Sequence, residues 1–342
     1  MKILIVTQTV DSKDPKLGFF HRWIIEFAKN FEKVTVIALG VGEYMFPNNV
    51  SVFSLGKEQG VGRLAYIKNF YAHVISQRNE YDAVFVHMNP VYVILGFLPW
   101  KLLNKRISLW YVHKMVDAKL KVATVLANTI FTASKESFRI PSPKVLVTGH
   151  GIDVEATNVV SSRAGAVKIV ATLGRISEVK NIDFMLRVFA EAQKKLSVES
   201  RFEIVGEASS YDEKIYKEKL LILIDELGLT RNVIFKGSIA NNLVSEYIGT
   251  VDVTFNASST GSLDKAVLES MAVGVPVLTT NEAFKEMLTP YGLYGTLSDV
   301  SGNAARLGAL LQGESVDRTA LRKIIEDHHS LKKLITFIAS HI

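Results

Sequence analysis

Cysteine is absent from the sequence, which removes disulfides, thiolate metal sites and cysteine nucleophiles together. That absence fits a reducing compartment. Long hydrophobic runs are missing too: the longest, 91–100, is broken by Gly96 and Pro99, whereas a spanning helix needs roughly 20 apolar residues. The apolar run at the start, 3–6, is too short for a signal peptide. The expectation is a cytoplasmic chain, peripheral at most at the inner face of a membrane. Phosphate-loop signatures fail as well. Gly40-Val41-Gly42 and Gly60-Val61-Gly62 each lack the third glycine of G-x-G-x-x-G, and no G-x-x-x-x-G-K-[ST] occurs. No D-x-D is present, so the carboxylate pair that holds a diphosphate through a divalent cation is missing. The histidines are scattered apart from His328-His329, whose side chains point in different directions on a helix. No metal and no cofactor is expected.

What is present is a globular composition, 48% hydrophobic and 22% charged with a net charge of +6. The charge is unevenly placed. Between Lys101 and Lys144 lie nine basic and two acidic residues, a local +7, so the rest of the chain carries −1. This excludes a uniformly cationic nucleic-acid coat and points to one anion-facing region. The segment 91–103 sets Phe97, Leu98 and Trp100 beside Lys101, Lys105 and Arg106. It could rest on an anionic bilayer; the alternative is a buried helix with a solvated basic end.

A chain of 342 residues suits two domains. In the first half the apolar runs 3–6, 34–38, 83–86, 108–112, 130–132 and 145–147 read as strands buried on both faces of a parallel sheet. Trp23, Ile24, Phe27, Ala28 and Phe31 recur at helical spacing between the first two. Segments 66–75 and 91–103 supply further crossover helices. A polar stretch, 155–166, reads as a linker. Strands at 167–173, 201–205, 233–235, 251–255 and 275–278 then alternate with helices at 182–196, 211–227, 243–248 and 265–272. The expectation is α/β, two doubly wound domains with a cleft where strand ends and helix starts converge.

The chemistry-bearing segments lie in the second half. Gly174-Arg175-Ile176-Ser177-Glu178-Val179-Lys180-Asn181 follows a strand and opens a helix that Asn181 would cap. Arg175 and Lys180 share this loop and could neutralise a diphosphate without metal; the alternative is an ordinary solvated loop. A second small-residue loop runs from Asn256 through Gly261, Ser262 and Leu263 to Asp264 and Lys265. Backbone amides at the start of the next helix form an anion site there. Glu269, one turn inside, suits ribose hydroxyls, or it merely pairs with Lys265 at i,i+4.

Together with Val205-Gly206-Glu207, Val233-Ile234-Phe235-Lys236-Gly237 and Leu268-Glu269-Ser270-Met271-Ala272…Gly274-Val275-Pro276-Val277, this set resembles the retaining glycosyltransferases of the GT-B fold, family 4, over roughly 167–278. The ending from Glu326 to Leu334 resembles that family's last helix. The resemblance implies two Rossmann-like domains facing a cleft: 1–155 binding the acceptor, 156–320 binding the donor, and a helix at 321–342 crossing back. Arg175 and Lys180 match the basic pair on the donor diphosphate. Glu269 matches the second glutamate of E-x7-E, and Ile239 sits where the backbone meets the base. Gly174, Glu207, Gly261, Ser262, Leu263, Asp264 and Lys265 fall on the donor side. Gly261 stands where the first glutamate belongs, and Asp264 replaces a usual glycine. Lys265 beside it would add charge at the diphosphate. In the first domain His113 resembles the histidine near the transferred sugar, Gly18 a phosphate-side glycine, and His150 and Lys114 fall on the acceptor side. The implied activity is metal-independent hexosyl transfer from a nucleoside-diphosphate sugar, UDP-linked, to a glycan or lipid-linked acceptor in surface polysaccharide or glycolipid synthesis. A nucleotide-sugar epimerase of the same fold and a non-catalytic nucleotide-binding protein are the alternatives.

Overall fold

The computed structural model describes residues 1–14, 16–157 and 165–342. Most of the linker expected at 155–166 therefore lies outside the described residues. The chain divides into two compact units, one of Met1–Asp153, Ala240–Asn242 and His328–Ile342, the other of Val154–Ile239 and Leu243–Asp327.

The first unit runs β1 (Lys2–Val10), α1 (Phe20–Asn30), β2 (Lys33–Val41), β3 (Val50–Ser54), α2 (Arg63–Ser76), β4 (Ala83–His87), α3 (Pro90–Leu102), β5 (Arg106–Trp110), α4 (Ala118–Leu126), β6 (Thr129–Thr132) and β7 (Val145–Val147). Its sheet is parallel in the order β3-β2-β1-β4-β5-β6-β7. Ile3, Leu4, Ile5 and Val6 are fully buried, because helices cover both faces and leave no polar side to alternate with. Phe70 and Val74 of α2, Val93 and Trp100 of α3, and Leu120 and Ala123 of α4 pack in one cluster with Leu4, Val6, Val84 and Val86. α1 covers the opposite face, where Phe27 meets Phe85 at 5.0 Å. A Cβ on Gly96 would lie 2.2 Å from the Trp100 ring, so the glycine is what admits the indole. β3 and α4 are elements that the sequence pattern does not mark. β3 is an edge strand with every residue half-buried, and α4 has no clear amphipathic stripe among its lysines and valines.

The second unit runs β8 (Lys168–Leu173), α5 (Ile182–Gln193), β9 (Ser200–Val205), α6 (Tyr211–Glu226), β10 (Val233–Gly237), α7 (Val244–Ile248), β11 (Val253–Asn256), α8 (Lys265–Val273), β12 (Val277–Thr279), α9 (Lys285–Leu288), α10 (Val300–Leu311) and α11 (Arg318–His328). Its parallel sheet has the order β10-β9-β8-β11-β12. The carboxyl-terminal segment, expected as one helix, is two: α12 (Leu331–His341) starts afresh after α11. The break is fixed by the Ser330 side chain, which accepts from the Lys333 N–H, and by Ile152. The Ile152 N–H donates to the His329 carbonyl and its carbonyl accepts from Leu331, each at 2.8 Å. α12 packs on α1.

In an open α/β sheet, ligands bind beyond the strand ends where the order reverses. That switch point lies between β1 and β4 in the first unit and between β8 and β11 in the second.

Candidate functional site

At the switch point of the second unit the loops after β8 and β11 are brought together by strand adjacency. Gly174 leaves β8 with φ +138°, a conformation side-chain-bearing residues avoid. A Cβ there would lie 3.2 Å from Cε of Lys180, and one on Gly206 would lie 1.9 Å from the Gly174 carbonyl oxygen. Asn181 takes φ +49°, and its side chain does not cap α5 as expected. Its Nδ2 donates instead to the Ala257 carbonyl at 2.7 Å. The Ser259 N–H donates to the Val179 carbonyl at 2.9 Å, so two backbone-linked contacts clamp the loops. Gly261 sits at φ +63°. That left-handed backbone disfavours a glutamate at this position. The Ser262 carbonyl is held by Asn281 Nδ2 at 2.9 Å, and Leu263 is half-buried. Ser177 Oγ and Thr280 Oγ1 are buried without a hydrogen-bond partner among the described residues.

The three expected donor-side cations all hold internal carboxylates. Lys180 pairs with Asp264. Arg175 meets Glu213 at 3.3 Å, with the guanidinium still more than half exposed. Lys265 pairs with Glu269, the i,i+4 contact that sequence spacing also allowed. Asp264 caps α8, its Oδ1 accepting from the Ala266 N–H at 3.3 Å, and its Oδ2 accepts from Asn256 Nδ2 at 3.0 Å. Burial alone would raise this carboxyl. The adjacent Lys180 charge, its hydrogen bond and that of Asn256 outweigh burial and hold it below the usual carboxylate range. Glu207 is exposed beyond β9, its carbonyl accepting from the Ile176 N–H at 3.2 Å. Ile239 is half-buried against the core under β8.

The remaining expected residues belong to the first unit. Gly18 is buried where a Cβ would come within 2.5 Å of the Asp14 carbonyl oxygen. His113 is exposed on the loop after β5, its Nδ1 accepting from the Met115 N–H at 3.4 Å, and Lys114 beside it is half-buried. His150 is buried, its ring edge-on to Trp110 at 6.3 Å, and its N–H donates to His329 Nδ1 at 3.1 Å. Sequence reasoning missed His87, the last residue of β4 and therefore at the first switch point. Its ring stacks on Phe20 at 3.8 Å, and its Nδ1 lies 3.1 Å from Thr7 Oγ1. Burial, then the nearby His150 charge, pushes it down to about 3. Burial, then His328, pushes His329 down to about 4. A polar residue ending a run of five buried strand positions was the available signal.

The outer surface of α2, α3 and α4 has a distinct chemistry. On α2 the exposed Leu64, Ile67, Tyr71 and Ile75 recur three or four residues apart and form one stripe, flanked by Lys68. Tyr71 Oη donates to the Leu95 carbonyl at 3.0 Å, which Pro99 leaves without its usual helical N–H partner. On α3, Leu98 and Leu102 are exposed beside Lys101; on α4, Val122 and Val125 beside Lys119 and Lys121. None of the three helices contains an acidic residue. Two cations of the +7 stretch turn inward. Lys105 donates to the Tyr81 carbonyl, and Lys144 reaches the Val125 and Ala127 carbonyls at 2.7 and 2.8 Å, closing the end of α4.

Among the described residues no helix is long and apolar enough to cross a membrane, and no three His, Asp or Glu side chains gather as a metal site.

The family described as glycosyl transferases group 1 matches residues 154–325. No curated protein matches the sequence. Solved structures share the fold along the whole chain. HepE from Anabaena, solved with UDP and glucose, is 17% identical with a TM-score of 0.77, covering 100% of this chain and 99% of its own. The lipopolysaccharide outer core galactosyltransferase WaaB is 14% identical with a TM-score of 0.68, covering 100% and 99%. Sucrose-phosphate synthase from Thermosynechococcus elongatus is 14% identical with a TM-score of 0.73, covering 100% and 98%.

Proposed function

This chain belongs to the group 1 glycosyltransferases, and from that premise we propose that it transfers a hexosyl group from a UDP-sugar to a glycan or lipid-linked acceptor, with retention and without metal. The observation that carries this is the second switch point, where Lys180 meets Asp264 at the start of α8 with Glu269 one turn inside, while Arg175 leaves the same loop after β8. Charge develops on the departing diphosphate, and preorganised donors aimed at it are the largest catalytic contribution. Arg175 and Lys180 supply them, the α8 N–H groups add to them, and Glu269, steadied by Lys265, takes the ribose. Gly174, Glu207, Ile239 and Gly18 complete the donor side. The leaving phosphate oxygen takes the acceptor proton, while His113 orients the sugar and His150 and Lys114 serve the acceptor. HepE, solved with UDP and glucose, and the lipopolysaccharide outer core galactosyltransferase WaaB, fold relatives, support the uridine nucleotide and a glycan acceptor. An epimerase would need both an acid and a base carboxylate at the sugar, whereas Glu213, Asp264 and Glu269 each hold a cation and Glu207 is a single exposed carboxylate.

The acceptor is taken at the inner, anionic face of a membrane, with α2, α3 and α4 as the docking surface. An apolar stripe set among cations and lacking any carboxylate complements an anionic bilayer. Wild-type protein should co-sediment with phosphatidylglycerol vesicles and not with phosphatidylcholine vesicles. Lys101→Glu with Lys121→Glu should weaken that by about tenfold or more; unchanged sedimentation removes the membrane part. For the donor, UDP should raise the melting temperature above any shift from GDP or ADP. No shift with any of the three, with or without their sugar conjugates, removes the donor reading.

A further inference from the structure

At the start of α8 the Asp264 carboxylate lies where several hydrogen-bond donors meet. Three donors converge on it: the Lys180 ammonium, Asn256 Nδ2 at 3.0 Å and the Ala266 N–H at 3.3 Å. An ammonium, a side-chain amide and a helix-start N–H are a set suited to a phosphate oxygen. The Lys180 and Asp264 side chains are only 17% and 11% exposed, so water screens the pair little. Arg175 and Lys265 are likewise matched by Glu213 and Glu269. The three cations and three carboxylates therefore cancel before any donor arrives.

We infer that Asp264 is a built-in counter-ion that occupies the phosphate position on Lys180 and sets the donor affinity by competing with the diphosphate. The inference deepens the donor-site reading above and rests on it. A phosphate cannot simply join this arrangement, because two anions a few ångströms apart in a poorly hydrated pocket repel. Binding is an exchange: Lys180 leaves the carboxylate for the phosphate oxygens, and Asp264 keeps the Ala266 N–H as the cap of α8. Asp264 is thus a specificity-determining residue that acts against weakly charged or poorly positioned anions. A positioning role, in which Asp264 merely aims Lys180, makes the opposite forecast.

Asp264→Asn separates the two, since asparagine keeps the cap and the shape but loses the charge. Inorganic pyrophosphate and UDP are titrated calorimetrically into wild type, Asp264→Asn and the Asp264→Asn/Lys180→Ala double variant. Both ligands should bind Asp264→Asn about tenfold tighter than wild type, and the gain should vanish in the double variant. Equal or weaker pyrophosphate binding to a folded Asp264→Asn overturns the inference. Should Asp264→Asn not fold, Asp264→Ser, also a good cap, carries the same comparison. A pyrophosphate gain with no UDP binding to any variant upholds Asp264 as the competitor and rejects the uridine donor instead.

Discussion

The two units repeat one architecture and fill its switch point with opposite materials. In the second, the loops after β8 and β11 bring together cations, carboxylates and the start of α8. In the first, the matching position after β1 and β4 is aromatic. Phe20 stacks on His87, and Trp23, Trp110 and His150 surround it. Parallel sheets supply the same location in both, but the side chains make one suited to a charged group and the other to a largely neutral one. The outer surfaces differ in the same way. α2, α3 and α4 carry no acidic residue, whereas α6 alone exposes Asp212, Glu218, Asp225 and Glu226. In the proposed function, contact with an anion falls to the loops in one unit and to the helix backs in the other.

The comparison is broken most forcefully at the charged switch point. Lys180→Ala and Arg175→Ala should each lower kcat/KM for sugar transfer by about 10²–10³ with the fold retained. Wild-type rates in both would move the chemistry elsewhere. At the aromatic switch point the effect is on stability. His87 and His329 stand at about 3 and 4 in the folded chain, against about 6.5 unfolded. The unfolded chain therefore binds more protons, and stability present above pH 6.5 is lost as pH falls towards 4 and 3. Each histidine contributes a slope approaching about 1.4 kcal/mol per pH unit in its window. Urea unfolding of His87→Phe between pH 7 and 4.5 should depend less on pH than wild type, and parallel curves would refute the buried neutral histidine. Asp264 has its own window: held low by Lys180, it contributes stability that is lost only below about pH 3.8. The smallest effect is expected at Lys265. Lys265→Ala should cost a few tenths of a kcal/mol through the lost Glu269 pair and change UDP affinity less than Lys180→Ala does; an equal loss would restore Lys265 as a direct phosphate contact.

Legibility in the sequence followed burial. β1, β2, β4 and β8 are largely continuous apolar runs because both faces are covered, so the runs themselves located them. β3 lies at an edge with half-buried side chains, and α4 spreads lysines and valines without a stripe, so neither announced itself. The break at Ser330 depends on Ile152, far away in sequence. The loop residues Gly174, Arg175, Lys180, Asp264 and Glu269 were readable as types, but not their partners. Lys180 and Asp264 are 84 positions apart and meet only because β8 and β11 are neighbours. Likewise Asn181, read as a cap, is drawn off to Ala257 by the same adjacency.

The central claim is that the second switch point holds a nucleoside diphosphate through Arg175 and Lys180. Calorimetric titration of UDP into wild type and into the Arg175→Ala/Lys180→Ala double variant tests it most directly. The account expects saturable binding to wild type and none at the same concentrations to the variant. Equal binding to both proteins would contradict it.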